Sequence, residues 1–169
     1  MSGVILLRNY QRRWPINARL LRNALKAFLE TRWSGISEMA IAAGSAQRPT
    51  SFNFAFHLVS ETKMAELNEG WLDHAGSTDV ITFAYGISTN GMLHGEIFIC
   101  VDEAVAQAPN FGVKWQQEVI RYLLHGVLHS IGYDDRTTRA RKRMKAEENK
   151  LVRQFLKQPG WSRGFRRPL

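Results

Sequence analysis

The sequence holds a single cysteine, Cys100, among its 169 residues. A lone thiol excludes an internal disulfide and any cysteine-built zinc finger, so a metal site in this chain must draw on histidines and carboxylates. It also suits a reducing, cytoplasmic setting. No uninterrupted apolar run approaches the roughly 18 residues that suggest a membrane span. The opening Met-Ser-Gly-Val-Ile-Leu-Leu-Arg has neither the basic flank nor the apolar length of a secretory signal, so a soluble protein is expected. Prolines number only 5, and no low-complexity linker or internal repeat divides the chain. What is present is 44% hydrophobic and 11% aromatic residues, enough to build one sizeable core and to exclude disorder or a disulfide-dependent mini-protein. One domain is expected over residues 1–156, followed by a flexible basic tail over 157–169.

Positive charge is also scarce where it might be looked for. The formal total is +8, from 23 Lys and Arg against 15 Asp and Glu, but residues 33–135 hold 4 basic residues against 12 acids. Residues 1–32 hold 7 against 1, and residues 136–169 hold 12 against 2. Basic ends therefore enclose an acidic middle, a pattern that points to a polyanionic partner met by the ends. The tail stretch Gly-Trp-Ser-Arg-Gly-Phe-Arg-Arg sets Trp161 and Phe165 among arginines. Cationic side chains beside rings suit single-stranded RNA, whose bases are free to stack; a solvated basic face is the plainer alternative.

Hydrophobic periodicity predicts strands and helices interleaved in one domain, of α+β or α/β class, with a small mixed sheet of about four strands flanked by about five helices. Strands are expected at Val4–Arg8, Phe52–Val59, Asp79–Phe83 and Glu96–Val101, with Glu38–Ala43 as a further candidate. Helices are expected over Ile16–Trp33, from an N-cap at Ser60 to about Trp71, and over Asp102–Ala108, Trp115–Ile131 and Arg139–Leu156. Asn90-Gly91 suits a hairpin reversal between the last two strands.

The stretch that carries chemistry is His125-Gly126-Val127-Leu128-His129-Ser130-Ile131-Gly132-Tyr133-Asp134-Asp135. Histidines four apart project from one helix face, where two imidazoles can share a metal ion. Gly132 is placed to end the helix in a left-handed conformation, letting the chain double back with Asp134 or Asp135. Asp135 stands six positions beyond His129, the interval at which zincin proteases supply a third ligand. Three protein ligands leave a fourth position open, as a catalytic zinc requires. Against this, the histidines would be ordinary core residues, and Asp135 would cap the following helix. Cys100, His57, His74 and His94 are read as structural or exposed. In H-E-x-x-H peptidases the residue after the first histidine is the glutamate that serves as general base; here it is Gly126, which disfavours proteolysis. Phosphodiester cleavage leans more on charge neutralisation.

These residues resemble the YbeY endoribonucleases, rRNA maturation factors of bacteria, whose signature is H-G-x-L-H-x-x-G-Y-D-H. Residues 125–135 match every fixed position but the last, where Asp135 replaces histidine. Upstream, Glu66-Leu67-Asn68 and Thr78-Asp79-Val80-Ile81-Thr82-Phe83 are similar to the family's E-L-N and T-D-V-L-S-F blocks, and Gly95-Glu96-Ile97 to its G-D-I strand. Met144 and Glu148 fall where the family's last helix has its Met and Glu. The resemblance implies a single α/β domain and one zinc ion held by His125, His129 and Asp135. It further implies cleavage of single-stranded RNA in small-subunit rRNA 3′-end maturation and ribosome quality control, with the ribosome or a ribosomal protein as partner. Two departures stand out. Aspartate at 135 adds a negative charge, which makes a bound water less acidic and phosphate attraction weaker. Leu72 stands where the family usually has an arginine, so Arg121, Arg139 or Arg141 would have to meet the phosphate. Asp79, Glu96 and Asp134 are the candidates for proton transfer. The alternatives are an RNA-binding or ribosome-assembly factor with a structural metal, and a zinc metallopeptidase.

Overall fold

In the computed structural model, which describes residues 3–166, four strands and five α-helices build an α+β fold. The order is β1 (Val4–Asn9), α1 (Ala18–Ala42), β2 (Ser51–Val59), α2 (Glu61–Leu72), β3 (Val80–Ile87), β4 (Met92–Cys100), α3 (Val101–Gln107), α4 (Trp115–Ser130) and α5 (Thr138–Leu156). The strands lie in the order β1-β2-β4-β3, with β1 and β4 parallel to β2 and β3 antiparallel to β4. This is the small mixed sheet the periodicity predicts.

One face of the sheet carries the main core. Ile5 and Leu7 of β1, the Phe52, Phe54, Phe56 and Leu58 series of β2, and Ile97 and Ile99 of β4 meet the buried faces of α1, α4 and α5. The alternation of β2 sets these four apolar side chains on one face. On the opposite face α2 covers only one end of the sheet, burying Met64 and Leu67 against Val59, Ile81, Phe98 and Cys100.

The candidate strand at Glu38–Ala43 is instead the end of α1. Trp33, Ile36, Ser37 and Ala40 keep the three- and four-residue spacing of the buried face, so the helix runs through Ser34-Gly35, where Gly35 faces open space. β3 and β4 are longer than predicted toward the hairpin, whose turn is made by Ser88–Gly91 with Gly91 at φ 79°. Ser60 caps α2 as expected, its side chain accepting from Lys63 N.

The basic tail, expected to be flexible with rings free to stack, folds back in its described part. A short 3-10 turn at Trp161–Phe165 packs on α1, and Asn17 N donates to Gly164 O at 2.8 Å. Phe165 is buried between Trp115 and Trp161. Apolar ring area finds more favourable burial against the core than water leaves it, so Phe165 closes the core while Arg163 and Arg166 stay exposed. Residues 167–169 of the tail lie outside the described residues.

Candidate metal centre

α4 positions the histidine pair. Its buried face holds Val119, Ile120, Leu123, Leu124, Val127 and Leu128, while His125 and His129 look sideways toward α5, their side chains 20% and 25% exposed. Gly126 sets how closely α4 seats on the sheet. A Cβ there would stand 2.4 Å from Ile97 Cγ2 of β4, and one on Gly95 of β4 would stand 2.6 Å from Ser130 Oγ of α4. The position held by glutamate in H-E-x-x-H peptidases thus points into the sheet.

The helix ends at Gly132, whose φ of 108° is the left-handed conformation that glycine tolerates, and Tyr133 N closes the turn on Leu128 O. The chain then reverses and brings Asp135 back to His129, Oδ2 lying 3.7 Å from Nε2. One donor atom from each of His125, His129 and Asp135 falls within 4.8 Å of the others, and this is the cluster of metal-ligating type among the described residues. Asp135 does not cap α5; Thr137 does, accepting from Ala140 N.

Each histidine is held from behind. His125 Nδ1 lies 2.8 Å from Glu148 Oε2, and His129 Nδ1 lies 3.0 Å from the Tyr133 carbonyl oxygen. An acceptor at each Nδ1 assigns the proton there and leaves a lone pair on each Nε2, and the two Nε2 atoms face each other at 3.1 Å. Two facing lone pairs favour a cation between them. Burial, then the proximity of His125, pushes the His129 pKa down against the pull of Asp135, favouring the neutral imidazole that ligates metals. Two imidazole nitrogens and a carboxylate oxygen form a donor set that fits a divalent metal ion with a position left open.

Glu148 is the side chain whose part the sequence reading missed, although its place in the apolar face of α5, between Met144 and Leu151, marked it. It is buried, and Oε1 accepts from Arg121 at 2.6 Å and Lys145 at 2.8 Å. Burial alone would raise its pKa; the hydrogen bonds from His125, Lys145 and Arg121 outweigh that and hold it at about 2. Glu148 is therefore a carboxylate at any physiological pH.

A cleft of about 650 Å³ opens on this centre, lined among others by Asp79, Phe111, Tyr122, Arg141 and Lys145. Of the three acids named for proton transfer, Asp79 lines it. Glu96 lies on the opposite face of the sheet, bonded to His57 and Tyr85, because β4 alternates and Ile97 takes the α4 side. Asp134 is engaged by Arg136 and by the backbone amides of Asp135 and Arg136, which hold its pKa down. Arg121 reaches the cleft, but its charge is met by Glu118 and Glu148. Arg141 lines the cleft; Arg139 is exposed on α5 outside it. Cys100 is buried and caps α3, and His57 and His94 lie on the open face of the sheet.

The fold and its site define a small α+β protein with a two-histidine, one-carboxylate cluster, of which His125 and Asp135 line a cleft. The family model described as "Endoribonuclease YbeY" matches residues 21–156, and the chain belongs to that family. A protein of Bacteroides fragilis named Endoribonuclease YbeY is 32% identical over 113 residues, covering 67% of this chain and 78% of that one. Its namesake in Chlorobium luteolum is 35% identical over 91 residues, or 54% of this chain and 65% of that one. The Flavobacterium psychrophilum protein is matched over 64% of its length, so the chain spans under two thirds of both latter relatives. The solution structure of TM1509 from Thermotoga maritima shares the fold, with a TM-score of 0.55 and 24% identity over 90% of this chain and 89% of that one.

Proposed function

We propose that the chain is a zinc-dependent endoribonuclease that cuts single-stranded RNA, acting in the cytoplasm on ribosomal RNA during small-subunit 3′-end maturation and ribosome quality control. The ribosome or one of its proteins is the expected partner. The observation that carries this reading is the convergence of His125, His129 and Asp135 within 4.8 Å in a chain of this family. When bound, the ion supplies Lewis acidity for a phosphate oxygen and for an attacking water.

The residues around it have separable tasks. His125 and His129 present Nε2 to the ion, and Glu148 and the Tyr133 carbonyl retain the Nδ1 protons that fix both rings. Asp135 supplies an oxygen from the loop. Arg141, which lines the cleft, takes the phosphate contact that Leu72 cannot make, and Lys145 shares its charge between Glu148 and the cleft. Asp79, at the cleft wall, accepts a proton on its carboxylate. Phe111, 63% exposed at the cleft, offers a ring to a base. Arg163 and Arg166 of the tail segment 157–169 add charge from a docked position.

The test is cleavage of a single-stranded RNA by metal-loaded protein beside a His125→Ala/His129→Ala double variant. Loss in the variant is expected; equal cleavage by both overturns the reading. A chelator-sensitive proteolysis of an unstructured substrate would instead revive a peptidase, which the burial of position 126 against Ile97 disfavours.

A further inference from the structure

The sheet face turned away from the metal centre is largely open and carries a row of rings. Alternation puts Arg8 of β1, His57 of β2, Phe98 of β4 and Ile81 of β3 side by side in register, and Phe83 of β3 one row along beside Glu96. His57 stacks on Phe98 at 4.5 Å between centroids and, on its other side, on Tyr10 at 5.8 Å. Trp71, from the end of α2, stands edge-on to Phe98 and Phe83 at 5.4 and 5.1 Å. The rings thus cross the sheet from the end of β1 to α2 and enclose a hollow of about 550 Å³ with Val59 and Leu67 in its lining.

The two ends of the row are wet. Tyr10 is 53% and Trp71 54% exposed, and Tyr85 nearby is 65% exposed. Large rings left in water at both ends of a stacked row offer faces that the fold itself does not use. The charge beside them is complementary to phosphate. Arg8, next to His57 in the register, donates only to Tyr10 Oη and has no acidic partner among the described residues, whereas Lys63, which lines the hollow, is paired with Glu66 at 2.9 Å. The one acid within the row, Glu96, is bonded to His57 and Tyr85.

We propose that this face is a second RNA site, distinct from the metal centre, on which unpaired bases of single-stranded RNA stack on Tyr10 and Trp71 while Arg8 meets a phosphate. It rests on the RNA-directed reading above, and it assigns to the open sheet a holding function rather than a cutting one. Four-stranded sheets whose exposed rings stack successive bases are a recurring solution to single-strand binding. Rings here favour bases over an apolar protein surface, because a stacked row with a guanidinium beside it matches alternating bases and phosphates.

The experiment is anisotropy titration of a labelled oligo(A) of about 12 nucleotides against the full chain, with chelator present so that nothing is cut. Tyr10→Ala and Trp71→Ala should each weaken binding about 5- to 100-fold, the range for losing one stacked base. Trp71→Phe should retain most of the affinity, whereas Trp71→Leu, apolar but without a ring, should lose it as alanine does. Arg8→Ala should reduce the log–log salt slope by about 0.7. Unchanged affinity in folded Tyr10→Ala and Trp71→Ala overturns the proposal, and a Trp71→Leu variant as tight as Trp71→Phe does so in favour of an apolar protein partner. RNA held through these rings by a chain that never cuts would sink the nuclease and keep this site. Cutting with ring variants that bind normally would do the reverse.

Discussion

Glu148 Oε2 lies 2.8 Å from His125 Nδ1, across 23 positions of sequence and from a different helix. The contact ties α5 to the donor set on α4 and fixes which imidazole nitrogen faces the cleft. Glu148→Gln keeps the shape but removes the charge, and metal affinity should fall by about 10- to 100-fold. Isothermal titration of the chelator-stripped protein with zinc measures this. An unchanged affinity would mean that His125 needs no partner to hold its ring.

The same carboxylate makes stability depend on acid. Its folded pKa of about 2 lies below its ordinary value of 4.5, so it stabilises the fold fully above about pH 4.5 and progressively less as pH falls toward 2. The contribution is at most about 3 kcal/mol. Denaturant titration of the metal-free protein at pH 6 and pH 3 should show a larger acid loss for the parent chain than for Glu148→Gln, which has no proton to gain there.

Asp135 is the proposed donor on a loop, and Asp135→Asn should weaken zinc binding without unfolding the protein, because the side chain is 43% exposed and no helix depends on it. Asp135→His, which trades the carboxylate for a neutral imidazole, should bind zinc and leave the ion a unit more positive. The pH profile of RNA cleavage by that variant should shift to lower pH, as a more acidic bound water requires. A shift in the opposite sense would remove Asp135 from the donor set.

Gly126→Ala should destabilise the fold by about 1–3 kcal/mol, since its Cβ would stand 2.4 Å from Ile97 Cγ2 with helix and strand backbones on either side. Ile97→Ala in the same chain should recover part of the loss. Equilibrium unfolding of the four chains gives the coupling directly.

Phe165→Ala should cost about 3 kcal/mol of stability through the packing it loses against Trp115 and Trp161. Deleting residues 160–169 should therefore lower the melting temperature as well as RNA affinity. A deletion that weakens RNA binding and leaves the melting temperature unchanged would return the tail to solvent.

Much of the fold was legible because its signals are local. The alternation of Phe52, Phe54, Phe56 and Leu58, the cap at Ser60 and the periodic face of α4 each lie within a few residues of one another. Glu38–Ala43 belongs to α1 rather than to a strand because the burial of Trp33, Ile36 and Ala40 that carries the helix through comes from partners far along the chain. The histidine spacing was likewise local, and the backbone reversal at Gly132 was readable from a single glycine. Glu148 was not given its part, because an acid on an apolar helix face becomes a histidine partner only once α4 and α5 are packed. Glu96 was weighed as a proton carrier because no one-dimensional signal tells which face of β4 meets the cleft. Phe165 was read as a free ring for the same reason: tail residues reveal their partners only in three dimensions.

The three donors are unequally constrained. His125 and His129 ride on a helix pressed glycine-close to a strand, which fixes where their rings sit. The third sits past Gly132 on a short loop, its side chain 43% exposed. In the proposed centre, position 135 is thus where the charge of the ion's surroundings can be altered without rebuilding the protein. On that proposal, tolerance to substitution and control over the ion's acidity fall to a single side chain, which makes it the natural dial for metal preference and working pH.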